Sequence, residues 1–209
     1  VYASVCVSED DSMVYAGSFT AYSVYKLTNA TVWKALPGDT EQPTERLAGN
    51  GSWRPFQPGY PGQSQLRIID NIQSRGQTLV GTQVWSGSQC IWQVDVPSKL
   101  LTQYVCDCLT GGSDGTPVDG VNNTARCRSP TGLAWNVDRT VLYVLEYYGY
   151  IRKVTSTGGV AGGVTTMTTV VQAPGSNFRG ILVHPYYTNV TFSTSYSANQ
   201  LVVRLSQEE

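Results

Sequence analysis

Between Gly112 and Val154, three short runs rich in β-branched and aromatic residues are separated by tight-turn chemistry, and nothing else in the chain constrains the fold as strongly. A Gly/Asp loop, 112–120, leads to Pro130-Thr131-Gly132 and the run Leu133-Ala134-Trp135. A turn at 136–139 precedes Val141-Leu142-Tyr143-Val144-Leu145, and a second at 147–150 precedes Ile151-Arg152-Lys153-Val154. Runs this short, punctuated by Gly, Asp and Asn, form a β-meander. Charge alternating with apolar residues in the last run predicts a strand with one wet face.

The unit recurs in three weaker copies. The first has runs at 4–7, 13–16, 24–27 and 31–36, followed by a loop at 37–65. The second has runs at 66–69, 79–82, 91–94 and 101–106; the central copy adds a fourth run at 167–172. The last has runs at 180–183, 190–193 and 201–204. No helix start signal precedes a run of 3.6 period. Four-stranded modules every ~40–60 residues, each too small to bury its own face, predict a β-propeller. The expectation is therefore an all-β chain forming a single domain over 1–209. It has about four four-stranded antiparallel blades, roughly 1–62, 63–112, 130–173 and 178–209. A β-sandwich of the same hairpins and a non-closing stack of meanders rank behind it.

The Asp-Gly loop, Ala125-x-Cys127-x-x-Pro130, Thr131-Gly132-Leu133-Ala134, Leu142-Tyr143-Val144 and Ile151-Arg152-Lys153-Val154 together resemble an NHL repeat. Departures stand at Cys127, where the family has Phe, at Glu146, where it has Asp, and around Gly149, where it has Asn. The resemblance implies a propeller, commonly a six-bladed ring. Since the last copy holds three runs, two readings are open: a segment of such a ring, or a four-bladed ring complete in itself. The chain starts at Val1 without Met or a signal peptide, which suggests a mature or excised segment.

Four N-glycosylation sequons, at Asn29, Asn50, Asn122 and Asn189, favour a secretory-pathway glycoprotein carrying N-linked glycans, extracellular or at the cell surface. Five cysteines agree with an oxidising compartment and leave one unpaired within the chain. Cys90 and Cys106 stand symmetrically about Ser98, the centre of a hairpin, and facing residues there have Cβ atoms ~4.5–5.5 Å apart. This predicts Cys90–Cys106 and, from the remainder, Cys108–Cys127, closing a loop of about 20 residues worth ~3 kcal/mol. Cys127 in place of a core Phe fits the second bridge. Cys6 is then either buried and free, or bonded to another molecule or to the rest of a longer chain; the open last blade agrees with the second.

Catalytic groups are scarce. His184 is the sole histidine, sits in a turn, and cannot build a multi-histidine zinc site. There is no GxSxG elbow. Cys106-x-Cys108 lacks zinc-knuckle spacing. Glu9-Asp10-Asp11 and Asp114 with Asp119 read as turn residues ahead of calcium ligands. Trp33, Trp92 and Trp135 fall on strands and are expected to pack between blades. Tyr147, Tyr148, Tyr150, Tyr186 and Tyr187 fall in turns, where rings with a polar tip suit recognition or cover blade ends. A net charge of −1 and 14% charged residues, with no basic block, give no footprint for nucleic acid. No run of about 18 apolar residues exists to insert in a membrane.

The reading is a non-catalytic binding, adhesion or assembly platform, with a structural subunit of an extracellular coat or filament as one version. Its partners are protein or glycan surfaces, copies of itself, or the rest of its own chain. The alternative is a segment of a propeller enzyme whose catalytic residues lie outside this chain.

Overall fold

Turn chemistry and short apolar runs produce sixteen strands in a computed structural model that describes residues 2–18, 21–27, 44–52, 54–85, 88–108, 115–157, 163–172, 178–183, 190–194 and 203–205. The first sheet is β1 (Tyr2–Val7), β2 (Val14–Ser18), β3 (Ser23–Leu27) and β4 (Thr44–Ala48). The second is β5 (Ile69–Arg75), β6 (Thr78–Trp85), β7 (Ser88–Asp95) and β8 (Leu100–Val105). The third holds β10 (Pro130–Trp135), β11 (Val141–Glu146), β12 (Tyr150–Thr157) and β13 (Val164–Gln172), with the short β9 (Gly120–Val121) on its outer edge. The fourth, among the described residues, is β14 (Phe178–Val183), β15 (Val190–Thr194) and β16 (Val203–Leu205). All pairings are antiparallel, and each sheet is a meander in chain order apart from β9.

The sheets are copies of one another down to their irregularities. The register between first and second strands slips early in every sheet: between Tyr2 and Ser4, Ile69 and Ile72, Pro130 and Gly132, and Phe178 and Gly180. A bulge there increases local twist, which a radial blade needs where its first strand meets its neighbours. First strands pack in succession, β1 on β5, β5 on β10 and β10 on β14. This is the arrangement of blades side by side.

Both faces of a blade are covered by its neighbours, which explains the continuous apolar run of β11. Leu142 and Val144 enter the large core cluster shared with the first two sheets, whereas Tyr143 and Leu145 pack with Ile151, Ile181 and Val183 on the side of the fourth. Alternation on β11 thus separates two cores, not core from water. Glycines sit where blades or strands approach too closely for a Cβ. One added at Gly17 would lie 2.7 Å from Ile69 Cγ2, and one at Gly132 would lie 2.9 Å from Ile181 Cγ2.

Polar bonds stitch the first strands and their turns together. The Ile72 amide donates to Ser4 Oγ at 3.0 Å, and the Ser74 hydroxyl donates to the Val7 carbonyl at 2.7 Å. Glu9, in the β1–β2 turn, accepts the Gly76 amide at 2.7 Å and pairs with Arg139 Nε at 3.3 Å. Arg139 also donates to the Ser74 carbonyl at 2.6 Å, so turns from three successive blades are joined at one end.

Several expected boundaries move. The fourth strand of the first blade is Thr44–Ala48, within what the sequence pattern reads as loop; the expected run 31–36, with Trp33, lies outside the described residues. Tyr25 facing Arg46 and Lys26 facing Glu45 fix that pairing, and polar residues on an outer strand leave little apolar signal. The second blade begins at Ile69, not at Leu66, because the polar stretch Asp70 to Arg75 is a first strand whose polar groups bond to β1. The wet face expected for 151–154 is also corrected: Arg152 is fully buried.

Candidate functional site

Arg152 is placed by β12, the third strand of the best-preserved blade, opposite Val144 of β11, and is fully buried. Its guanidinium donates to Glu146 Oε1 at 3.0 Å, to Asp119 Oδ1 at 2.8 Å, and to the carbonyls of Arg126 and Val118 at 3.2 and 2.9 Å. Asp119 also accepts the Thr169 hydroxyl at 2.8 Å. The Asp-Gly loop is therefore no ordinary connection between blades. It adds β9 to the sheet edge and inserts a carboxylate onto the buried arginine.

Burial pushes the Glu146 carboxyl up to about 7, against the lowering influence of Arg152 and the Arg128 backbone. For Asp119 burial also raises, but the bonds from Thr169 and Arg152 outweigh it and hold the carboxyl below its usual range. One guanidinium thus serves two carboxylates in different environments, and the deeper one is the harder to ionise.

The disulfides tie the same loop to the second blade, with a pairing that differs from expectation. Cys90 bonds Cys108 and Cys106 bonds Cys127, not Cys90–Cys106 and Cys108–Cys127. The hairpin pairs one residue out of the expected register from Asp95 opposite Leu100 to Trp92 opposite Gln103, and a bulge between Ile91 and Trp92 then sets Ile91 opposite Val105, the one pair symmetric about Ser98. The next residue, Cys106, has φ 65°, which ends the strand and turns its side chain away from Cys90. The Cys106 and Asp107 amides then donate to the carbonyls of Asn122 and Ala125, at 3.1 and 3.2 Å. That bend carries Cys106 to Cys127 and brings Cys108 back to Cys90, with Cα separations of 5.6 and 4.9 Å. Met167 of β13 packs against the second bridge, its sulfur 3.5 Å from Cys106 Sγ. Cys6 is buried and makes no disulfide within the chain, as in the first of its two readings, and burial pushes its thiol up to about 12 despite the charge of Arg139.

Of the turn tyrosines, Tyr147 and Tyr148 meet edge to face with ring centroids 5.2 Å apart. The guanidinium of Arg128 lies 3.9 Å from the Tyr148 centroid, and Tyr148 is 38% exposed. Gly149, at φ 89°, closes the turn by donating to the Glu146 carbonyl at 3.1 Å. Tyr150, expected to join them as a binding ring, is instead buried, its hydroxyl accepting from Gln172 Nε2 at 3.2 Å. Tyr186, Tyr187 and His184 lie outside the described residues.

Trp92 and Trp135 are buried in the core cluster, and Arg75 lies 5.2 Å from the Trp135 ring. Among the sequons, Asn50 is half-buried, with its side-chain oxygen accepting the Ser52 amide at 2.9 Å, and Asn122 is exposed. Asn29 and Asn189 lie outside the described residues. Asp10 is held down to about 2 by bonds from Ser8 and Ser12, which is turn chemistry at an exposed site. Among the described residues no group of three or more His, Cys, Asp or Glu is gathered to hold a metal ion. Asp114, half of one proposed calcium pair, lies outside them. No described helix is long and apolar enough to cross a membrane.

A cavity of about 650 Å³ opens between the second and third blades, lined by Thr78 at the start of β6, strands β7 and β8, the start of β13, and Asn122 and Asn123 of a 3-10 turn. The sequence pattern gave no sign of it, because its walls come from four separate segments.

No family model matches the chain, and no curated protein matches it in sequence. Solved structures are similar in fold. An auxiliary nutrient binding protein from Bacteroides thetaiotaomicron superposes with TM-score 0.57 at 16% identity, over 90% of this chain and 44% of that one. The β-propeller domain of Cps50 (Swd1) from Myceliophteria thermophila gives 0.55 at 10% identity, over 99% and 54%. A structural genomics protein of unknown function from B. thetaiotaomicron gives 0.53 at 12%, over 79% and 34%. The chain spans between about a third and a little over half the length of these structures. At such identities the likeness is one of fold. With its four-stranded antiparallel sheets arrayed along their first strands, this chain has the β-propeller fold.

Proposed function

We propose that this chain belongs to a secreted or cell-surface glycoprotein, that its blades are NHL-like repeats, and that its propeller is a non-catalytic platform for binding or assembly. The observation that carries the reading is the tip of the third blade. There an exposed Tyr148, stacked by Arg128 and edge-on to Tyr147, stands on a turn closed by Gly149. Tyr and Arg dominate the energetic centres of protein interfaces, because each presents a large rigid surface with a polar or charged rim.

The two disulfides support an oxidising compartment. The meeting of Asp119, Glu146 and Arg152 supports the repeat reading, since those positions belong to the resembled motif. Partners of this platform are protein or glycan surfaces, further copies of the chain, or the remainder of its own protein. A coat or filament subunit is one form of the reading.

The test replaces Tyr147, Tyr148 and Arg128 together by Ser in the chain secreted from eukaryotic cells. Sedimentation reads self-association, and immobilised glycan and matrix-protein surfaces read adhesion. A loss of at least tenfold with unchanged circular dichroism is expected, about 1.4 kcal/mol of binding. Binding that survives the triple substitution would refute the assignment of the tip, and a chain unmoved by glycosidase on a gel would count against the glycoprotein reading.

A further inference from the structure

We propose that the cleft between the second and third blades is a saccharide site for a neutral N-acetylated sugar. The sugar is supplied either by a glycan on this chain's own Asn122 or by a glycan of another molecule. The first source rests on the reading of Asn122 as glycosylated; the site itself does not.

The cleft, about 650 Å³, falls within the 300–1,000 Å³ usual for ligand pockets and has room for two sugar rings. Gln93 and Thr102 stand in its wall with Leu100, Tyr104, Asn122 and Thr165. Gln93 Nε2 donates to Thr102 Oγ1 at 3.1 Å, whereas Gln93 Oε1 is buried without a hydrogen-bond partner. A buried acceptor of this kind is costly unless a donor reaches it, and a sugar hydroxyl or acetamido N–H is such a donor. The half-buried side chain of Leu100 supplies apolar surface of the kind that the C–H face of a sugar requires.

The charge pattern selects against anions. The cleft's Asp95 is occupied by its own turn, its Oδ2 accepting the Ser98 amide at 3.0 Å and the Ser98 hydroxyl as well. No cation lines the walls among the described residues, so a phosphate or nucleotide would find no counter-charge.

Asn122 ties the cleft to glycosylation. Its side-chain oxygen accepts from the Thr165 amide at 2.8 Å and the Thr165 hydroxyl at 2.9 Å. With the oxygen held against β13, the amide nitrogen is the group left to project, and that is the atom a glycan occupies. A first sugar attached there starts at the cleft's edge.

The experiment compares the chain secreted from eukaryotic cells with the same chain from a bacterial periplasm, where disulfides form without sequon modification. Glycopeptide mass spectrometry first reads the occupancy of Asn122. N,N′-diacetylchitobiose is then titrated into both forms by calorimetry, with NMR of the Gln93 side-chain amide.

The bare chain is expected to bind the disaccharide at about millimolar Kd, with Gln93→Leu weakening it about tenfold and Gln93→Glu, which keeps an acceptor, retaining it. If the glycan on Asn122 fills the cleft, the glycosylated chain shows no such binding and its Gln93 amide signal already sits at the saturated position. Equal binding by both forms assigns the site to a glycan of another molecule and overturns the first source. An unmodified Asn122 removes that source through failure of the glycosylation reading alone, and the titration of the bare chain still decides the cleft. A bare chain whose Gln93 signals are unmoved by about 20 mM disaccharide, more than ten times the expected Kd, overturns the site.

Discussion

Gly81 and Trp92 face each other across β6 and β7, and the fully buried indole lies over the glycine. Replacing Gly81 by Ala is the sharpest test of how the second blade is packed. A Cβ at that position would come within 2.6 Å of Trp92 Cε2, and closer still to Cζ2 and Cη2. Carbon pairs prefer about 3.5–4.0 Å, so the ring would have to move by about 1 Å or more. It cannot do so freely, since it belongs to the main core cluster. Overpacking of this size costs about 1–3 kcal/mol, and a ring with no free side places Gly81→Ala near the upper end.

Trp92→Leu alone removes buried ring volume and costs about 2–4 kcal/mol. In that background the added methyl has space, and Ala is favoured over Gly in a strand by ~0.5–1 kcal/mol, so the second substitution becomes nearly neutral or favourable. The double-mutant cycle should therefore show a coupling of about 2 kcal/mol or more. Guanidinium unfolding with disulfides intact, followed by far-UV circular dichroism, measures it. Additivity within about 0.5 kcal/mol would mean that the indole does not lie over Gly81.

Other consequences can be checked separately. Non-reducing peptide mapping should find Cys90–Cys108 and Cys106–Cys127, and Cys106→Ser with Cys127→Ser should lower stability by about 3 kcal/mol; recovery of a Cys90–Cys106 peptide would refute the bend at Cys106. Cys6 should resist iodoacetamide in the native protein and react on unfolding, being buried with its thiol pushed up to about 12; labelling at the rate of a free thiol would contradict this.

Glu146, raised by burial from 4.5 to about 7, binds its proton more tightly folded than unfolded. Its contribution is present in full below pH 4.5 and is lost as pH rises through 7. Glu146→Gln should flatten the stability profile across that window by on the order of 3 kcal/mol. A wild-type profile that rises with pH there, and that the substitution flattens, would show that the pairing with Arg152 governs instead.

The local pattern made much of this legible in advance. Runs bounded by turn residues located β10 to β12 closely, because there apolar residues, turns and blade register agree. Where a strand is polar, as in β5 and β4, the same approach misplaced it, since its side chains are satisfied by a neighbouring blade or lie on an outer edge. Tyr150 read as a turn ring because sequence alone does not say that Gln172 would cap its hydroxyl in the blade. Arg152 beside Lys153 read as a wet strand, yet only one of the two is buried, and the deciding partner, Asp119, lies far back in the chain. An Asp-Gly loop followed by an arginine on a third strand is the signal that points to it.

What the sequence determined by itself is the repeating meander, the all-β class and the stock of cysteines and sequons, for these follow from residue type and spacing along one strand or turn. The tertiary structure alone decided which cysteines join, because one left-handed residue, Cys106, reverses the direction in which two side chains point. It also decided that Gln93, Asn122 and Thr165 share a cleft. The first turns on the backbone of one residue and the second on where one blade is set against the next, and residue type and spacing along a strand encode neither.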